Sequence, residues 1–147
     1  LSNLLMIAVL LFFAAINAWD VRVTLKRANY EGEVTFWERM EGKFDENVSI
    51  IGITQDYGYR LNYWGWTGIE HWMSSSDFSL RELAGQEFDM QKLFEEETAG
   101  KDYFLVTQLS ELDHQPEVKN LLFTHYQIFE ETPDYIIFDL KHPLDID

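Results

Sequence analysis

The sequence predicts an α/β fold with a mainly parallel, Rossmann-like sheet in three layers, preceded by one transmembrane helix. Three observations predict it: an uninterrupted apolar run near the start of the sequence, short apolar strands that end in polar residues, and helical periodicity between those strands. Strands that alternate with helices favour a parallel sheet covered on both faces. We expect a transmembrane helix at 1–19, a helical connector at 20–47 and an α/β domain at 48–147.

The apolar run at 4–16, LLMIAVLLFFAAI, contains no polar residue. With its flanks it reaches the lower limit of the ~17–25 residues that cross a bilayer. A buried core helix usually keeps a polar face, and a signal peptide needs a basic start and a small-residue cleavage site. A transmembrane helix, truncated at its beginning and in contact with membrane lipid, is therefore favoured.

The helical connector continues from this run. Residues 20–29 contain no helix breaker, and apolar side chains then recur every three or four residues over 30–44, which predicts a second helix. The apolar positions of that helix are Tyr30, Val34, Trp37, Met40 and Phe44. Residues 45–47 form the turn into the sheet.

The strands and helices of the α/β domain follow from the same patterns. The first strand, 48–53, ends in polar residues, and a short helix follows with Tyr57, Leu61 and Trp64 on one side. Further strands are predicted at 69–73, 103–107, 127–129 and 135–140, the last two spaced as in a hairpin. The helices between them are marked by Ser79 and Asp89 as N-caps, Gly100 as a stop and Pro116 in a first turn.

Composition limits the classes of partner and of chemistry. The chain has 26 acidic and 11 basic residues, a net charge of −15. Such a domain repels phosphate backbones, so we expect no nucleic-acid partner. Cysteine is absent from the sequence, which excludes disulfides, thiolate zinc sites and thiol catalysis.

The candidate binding surface follows the first strand, because ligands of α/β proteins are met beyond the carboxyl ends of parallel strands. Its residues are Gln55, Asp56, Tyr57, Arg60, Trp64 and Trp66. Aromatic rings beside Asp56 and Arg60 suit stacking on a sugar ring or an isoprenoid chain. Packing at the sheet edge is the simpler explanation of the rings, and Asp56 and Arg60 are spaced to pair with each other. Thr107 and Gln108 repeat the Thr54-Gln55 pattern after a later strand.

Signatures of catalysis are missing from the sequence. The four histidines, His71, His114, His125 and His142, are scattered without the spacing of a metal site. There is no nucleophile elbow, glycine-rich phosphate loop or dinucleotide fingerprint. We therefore expect no metal, no cofactor and no catalytic residue, and we expect the histidines at the surface or the core edge.

Three segments carry a family resemblance: VSIIGITQDYGYRLNYWGW at 48–66, DYFLVTQLSELDHQPEVKNLLFTHYQIFE at 102–130 and DYIIFDLKHPL at 134–144. With the apolar helix and the connector before them, they resemble the C-terminal end of bacterial membrane glycosyltransferases of the dolichyl-phosphate-mannose protein mannosyltransferase-like family. The resemblance covers nearly the whole chain, but its segments belong to an accessory domain.

The resemblance implies a transferase that moves a sugar from a polyprenyl-phosphate donor to a protein, lipid or glycan acceptor. The family's catalytic acids lie in an early loop of a membrane portion outside this sequence, so the fragment would be a non-catalytic accessory domain. Its partners would be the rest of its own chain, membrane lipid and an acceptor glycan or protein. The family places this domain on the extracytoplasmic side, although Arg22, Lys26 and Arg27 favour a cytoplasmic one. We follow the family.

Two alternatives remain open at this point. One is a non-enzymatic, membrane-anchored extracytoplasmic binding module whose only anchor is the first helix. The other is a small secreted enzyme with a cleaved leader, for which the sequence supplies no nucleophile or metal site.

Overall fold

The computed structural model describes residues 2–27 and 31–144. The chain divides into two compact units, Leu1–Phe36 and Trp37–Asp147. The boundary between the units falls inside the predicted connector at 20–47.

The first unit is dominated by the helix α1, Ser2–Arg27. Its segment Leu4–Arg22 spans 19 residues with a mean hydropathy of 2.2, and none of it is buried. At about 1.5 Å per residue this length approaches the ~30 Å hydrocarbon core of a bilayer. The helix is long and apolar enough to cross a membrane and is not buried as a core helix would be. Its expected continuation is seen as far as Arg27, whereas 28–30, including Tyr30, lie outside the described residues.

The second unit contains a five-stranded mixed sheet. Its strands are β1 Ile50–Ile53, β2 Ile69–His71, β3 Tyr103–Val106, β4 Tyr126–Glu131 and β5 Ile136–Pro143. The spatial order is β2-β1-β3-β5-β4. β1 pairs in parallel with β2 and β3, whereas β5 pairs antiparallel with β3 and β4. The α/β class is confirmed, but only half of the strand pairs are parallel, because β4 and β5 form the predicted hairpin and return the chain beside β3.

Helices connect and flank the strands. They are α2 Glu31–Glu41, α3 Tyr59–Trp64, α4 Ser75–Leu83, α5 Met90–Thr98, α6 Leu109–Asp113 and α7 Pro116–His125. The predictions for α5 and α7 are confirmed: Asp89 caps α5 by accepting a hydrogen bond from the Lys92 amide, and Pro116 lies in the first turn of α7. Phe44, the last position of the second predicted helix, lies beyond α2.

The predicted start of α4 is wrong. Ser79 lies inside α4, and the cap is Ser74, whose side chain accepts from the Asp77 amide while the Asp77 carboxylate accepts from the Ser74 amide. This reciprocal capping box satisfies two otherwise unpaired donors. The helix α4 therefore begins at Ser75, earlier in the sequence than a cap at Ser79 would place it. The short helix α6 was not predicted.

The main core lies on one face of the sheet. Side chains from alternate positions of β1, β3 and β5 meet helical side chains there, as in the pairs Phe104–Phe94 and Phe138–Phe123. The opposite face carries Ile50, Leu105 and Ile137, all buried. Both faces of the central strands are therefore apolar, which is why these strands read as continuous hydrophobic runs.

Candidate functional site

The carboxyl ends of β1 and β3 are joined by a side-chain clamp. The Gln55 amide nitrogen donates to the Thr107 carbonyl at 3.0 Å, and the Thr107 hydroxyl donates to the Gln55 amide oxygen. Because β1 and β3 run parallel, the polar residues that end them lie at the same edge. The clamp explains the shared polar pattern that the sequence shows after both strands.

A left-handed turn follows the clamp. Asp56, Tyr57 and Gly58 have φ values of 50°, 56° and 81°. Non-glycine residues in this region cost on the order of 1–3 kcal/mol each and concentrate at binding and catalytic sites. The expected pairing is confirmed: Arg60 Nε donates to the Asp56 carboxylate at 2.6 Å. The turn places the Tyr57 side chain, 59% exposed, at the edge of the parallel strands.

His71 ends β2 beside this turn. Its two ring nitrogens are buried and have no hydrogen-bond partner among the described residues, and the same holds for the Thr54 hydroxyl. The Tyr57 ring meets the imidazole edge-on, with ring centroids 4.7 Å apart. Burial lowers the pKa of His71, against the opposing influence of the Asp77 and Glu111 carboxylates. Burial thus favours the neutral form of His71, which lies at the core edge, one of the positions expected for the histidines.

A polar network continues from the end of β2 to α6 and α7. Trp72 Nε1 donates to the side-chain oxygen of buried Gln115 at 2.8 Å, and Gln115 Nε2 donates to Glu111 at 2.9 Å. The Ser75 amide also donates to Glu111. Burial raises the pKa of the Glu111 carboxyl, but the hydrogen bonds from Ser75 and Gln115 outweigh burial and hold this pKa below its ordinary value. One carboxylate oxygen of Glu111, Oε1, therefore accepts from both the Ser75 amide and Gln115.

The predicted contact residues do not form one surface. Gln55, Asp56, Tyr57 and Arg60 lie together at the carboxyl edge of the parallel strands, whereas Trp66 follows α3 and lies beside Val48 and Ile69, at the amino-terminal edge. Trp64 is partly buried and meets Tyr63 at 6.0 Å. The separation arises because α3 runs back along the sheet.

Five aromatic residues follow the first strand, and all of them except Trp64 are exposed. The exposed fractions are 59% for Tyr57, 68% for Tyr59, 72% for Tyr63 and 82% for Trp66. Packing within this unit therefore does not explain them. Exposed rings of this kind are suited to binding a partner or a ligand.

The residues at the carboxyl edge give no catalytic constellation. Over 2–27 and 31–144, no group of three or more histidine and acidic residues could hold a metal ion. His71 contacts no hydroxyl by a hydrogen bond, so it forms no nucleophile–base pair.

Sequence reasoning missed His71, Glu111 and Gln115 as members of this site. The available signal was the rule that selected Thr54 and Gln55: polar residues directly beyond each parallel strand. Its application to the predicted strand 69–73 points to the polar run 74–77, whereas His71 lies inside that strand and carries no such signal. Glu111 and Gln115 lie on the unpredicted helix α6 and just beyond it, so their placement depended on tertiary contacts.

Comparisons with known proteins give no relative of this chain. No family model matches the sequence, and neither a curated protein nor a solved structure matches it significantly. The resemblance to membrane glycosyltransferases therefore stays a prediction.

Proposed function

We propose that this chain is a membrane-anchored accessory domain of a glycosyltransferase that takes sugar from a polyprenyl-phosphate donor, and that it is non-catalytic by itself. The observation that carries the proposal is that an apolar helical segment, Leu4–Arg22, none of which is buried, precedes an acidic α/β unit in the chain. The described part of that unit offers neither a metal-ligand group nor a histidine–hydroxyl pair. Chemistry would then come from a membrane portion, as in the family that the sequence resembles.

The finer fold belongs to the same proposal. We infer a three-layer, Rossmann-like arrangement, with α4–α7 on one face of the sheet and α2 and α3 on the other. Trp37, Met40 and Leu61 support this inference, since all three are buried yet lie outside the main core cluster. The parallel part of the sheet is then limited to β2-β1-β3.

The carboxyl edge of those three strands is the proposed contact surface. Gln55, Asp56, Tyr57 and Arg60 would meet the membrane portion of the enzyme or its acceptor glycan or protein. The Asp56–Arg60 ion pair and the exposed Tyr57 ring supply the polar and the stacking groups that such a contact uses. Membrane lipid would surround α1, and the domain would face the extracytoplasmic side.

Sugar transfer in membranes from cells that produce the protein tests the proposal. The double variant Asp56→Asn/Arg60→Gln removes the exposed ion pair at the carboxyl edge. We expect transfer from a labelled polyprenyl-phosphate sugar to fall roughly tenfold or more, because misplaced reacting groups carry penalties of that order. The matched control is Asp113→Asn/Lys119→Gln, which removes another exposed pair, with N···O of 2.6 Å, far along the chain. The control should leave transfer unchanged.

The alternative of a non-enzymatic binding module makes the opposite prediction. If both double variants and a strain that lacks the protein keep full transfer activity, the accessory role is refuted. Retention of the protein in the membrane fraction under those conditions would favour the binding module. The observation that favours this second function is the exposure of the aromatic rings of 57–66, which could bind a partner.

A further inference from the structure

Two adjoining cavities lie at the amino-terminal edge of β1 and β2, away from the proposed contact surface. Their volumes are about 520 and 450 Å³, within the range of small-ligand sites. They share the lining residues Val48, Trp66, Thr67 and Gly68. All their lining residues belong to the second unit. Because the two cavities share four of these residues, a single ligand could span both.

Trp66 forms the common wall of the two cavities. Its indole is 82% exposed, and its backbone is left-handed with φ of 51°. A bulky residue in this conformation is a genuine outlier, and such strain persists where the surrounding structure imposes it. The ring is therefore held out of the core, with its faces available for stacking.

The loop that carries Trp66 is fixed by hydrogen bonds on both sides. The Thr67 hydroxyl donates to the Gly65 carbonyl at 3.0 Å, and the Asn62 side-chain oxygen accepts from the Ile69 amide at 3.0 Å. Gly65 admits no side chain, because a Cβ there would lie 2.9 Å from the Trp37 carbonyl oxygen. The indole is thus presented by a loop of defined conformation, which lowers the entropic cost of binding.

Every charged residue that lines the cavities is acidic. These residues are Glu41, Asp45, Glu46 and Glu70. Glu70 is paired with Lys101, whereas the other three are exposed and form no ion pair with any residue of 31–144. This distribution repels phosphate and carboxylate ligands and attracts cations.

We propose that these cavities bind a cationic side chain, above all the guanidinium of an arginine, from a basic segment of a partner polypeptide. A guanidinium stacks flat on an indole and at the same time donates to carboxylates, so it uses both features of the site. An ammonium ion lacks the flat face and would bind more weakly. The proposal is independent of sugar transfer and stands if the accessory role fails.

Binding of acetyl-tetraarginine amide to the full chain in phosphatidylcholine nanodiscs tests the proposal by calorimetry. Acetyl-tetracitrulline amide has nearly the same shape without the charge and should not bind. Trp66→Asn removes the ring but tolerates the left-handed backbone, and we expect it to weaken arginine-peptide binding roughly threefold or more. Trp66→Phe keeps a ring and should recover part of the affinity.

The charge contribution is tested with matched variants. Glu46→Gln should weaken arginine-peptide binding, whereas Glu87→Gln, an exposed acid outside the cavities, should not, although both change the net charge equally. Equal effects of the two variants would show non-specific attraction to an acidic protein and would overturn the proposal. Binding of maltose without binding of the arginine peptide would also overturn it, since the site would then be a neutral-sugar site.

Discussion

Gly58 occupies the most constrained position of the turn after β1. Its φ is +81°, and a Cβ built on it would lie 2.4 Å from Cγ2 of Ile69 and 3.4 Å from the Thr54 hydroxyl. Both the backbone conformation and the close approach of β2 therefore require glycine. Gly58 therefore fixes the conformation of the turn that presents Tyr57, one of the residues of the proposed contact surface.

Substitution of this glycine should separate the two constraints. For Gly58→Ala we expect the free energy of unfolding to fall by about 1–2 kcal/mol from the left-handed backbone and by roughly 1–3 kcal/mol more from the overlap with Ile69. Gly85→Ala is the matched control, because Gly85 also has φ of +81° but nothing within 4 Å of its Cβ. Urea unfolding of the full chain in detergent, followed by near-ultraviolet circular dichroism, measures both. Equal losses would show that Ile69 yields at no cost.

At the level of single residues, the side-chain pairs at the carboxyl edge can be predicted from the sequence more readily than the left-handed backbone conformations. The Asp56–Arg60 pair follows from the spacing of four residues. The proximity of Gln55 and Thr107 follows from their similar positions at the polar ends of two strands. The left-handed conformation of Tyr57 and Trp66 does not follow, because bulky aromatic residues rarely adopt it, whereas Asp56 is of a residue type that is enriched there.

Among the secondary-structure elements, the segment after α2 is tied to the β4–β5 hairpin. Lys43 donates to both carboxylate oxygens of Glu130 at 2.8 Å, and the Tyr135 hydroxyl donates to Glu130 at 2.7 Å. The ammonium also lies 5.5 Å from the centroid of the Tyr135 ring. The hydrogen bond from Lys43, followed by that from Tyr135, lowers the pKa of Glu130 from its ordinary value.

This tie predicts a pH dependence of stability. Because the pKa of Glu130 is lower in the folded than in the unfolded state, its stabilisation is complete above the unfolded pKa near 4.5 and is lost as the pH falls through the folded pKa. At pH 7, Glu130→Gln should reduce the free energy of unfolding by ~0.5–1 kcal/mol, the scale of a partly exposed pair. The difference from the natural protein should shrink below pH 4.5. Glu131→Gln, next along β4, is the control, because it removes the same charge without loss of the Lys43 and Tyr135 contacts and should lower the free energy of unfolding at pH 7 by less.

The elements themselves were predictable where local signals agreed with tertiary packing. Asp89, Pro116 and the apolar runs of β1 and β3 each mark an element that the structure contains. Ser79 is a good N-cap residue, but Ser74 with Asp77 three positions later matches the capping-box pattern, and that local signal favours the earlier start of α4. The antiparallel return of β5 depends on the hairpin, whose pattern the sequence does contain.

At the scale of the whole molecule, the absence of cysteine from the sequence gives a direct test of membrane topology. Gln86→Cys adds one thiol in the exposed connection between α4 and α5. With the proposed extracytoplasmic side, a membrane-impermeant maleimide should label it in intact cells, and the protein should remain in the membrane after carbonate extraction. Leu10→Cys, within α1, is the control that lipid should protect from labelling.

Two outcomes would contradict that topology. Labelling of Gln86→Cys only after cell lysis would place the α/β unit in the cytoplasm, as Arg22, Lys26 and Arg27 suggest by charge alone. Release of a shortened, soluble protein would identify α1 as a cleaved leader. The sequence predicted the apolar helix and the α/β class, and the structure contains both.

The edge strand β4 has a consequence for how the protein behaves at high concentration. Within the described residues β4 is paired on one side only, with β5, and it exposes Ile128 and Phe129. An open strand with apolar side chains is a template for aggregation between molecules. Two irregularities in its register and the carboxylates of Glu130 and Glu131 interrupt that template. The negative charge of the protein thus opposes fibril-like association between molecules, and the protein should precipitate first in acidic buffers, which reduce its net charge of −15.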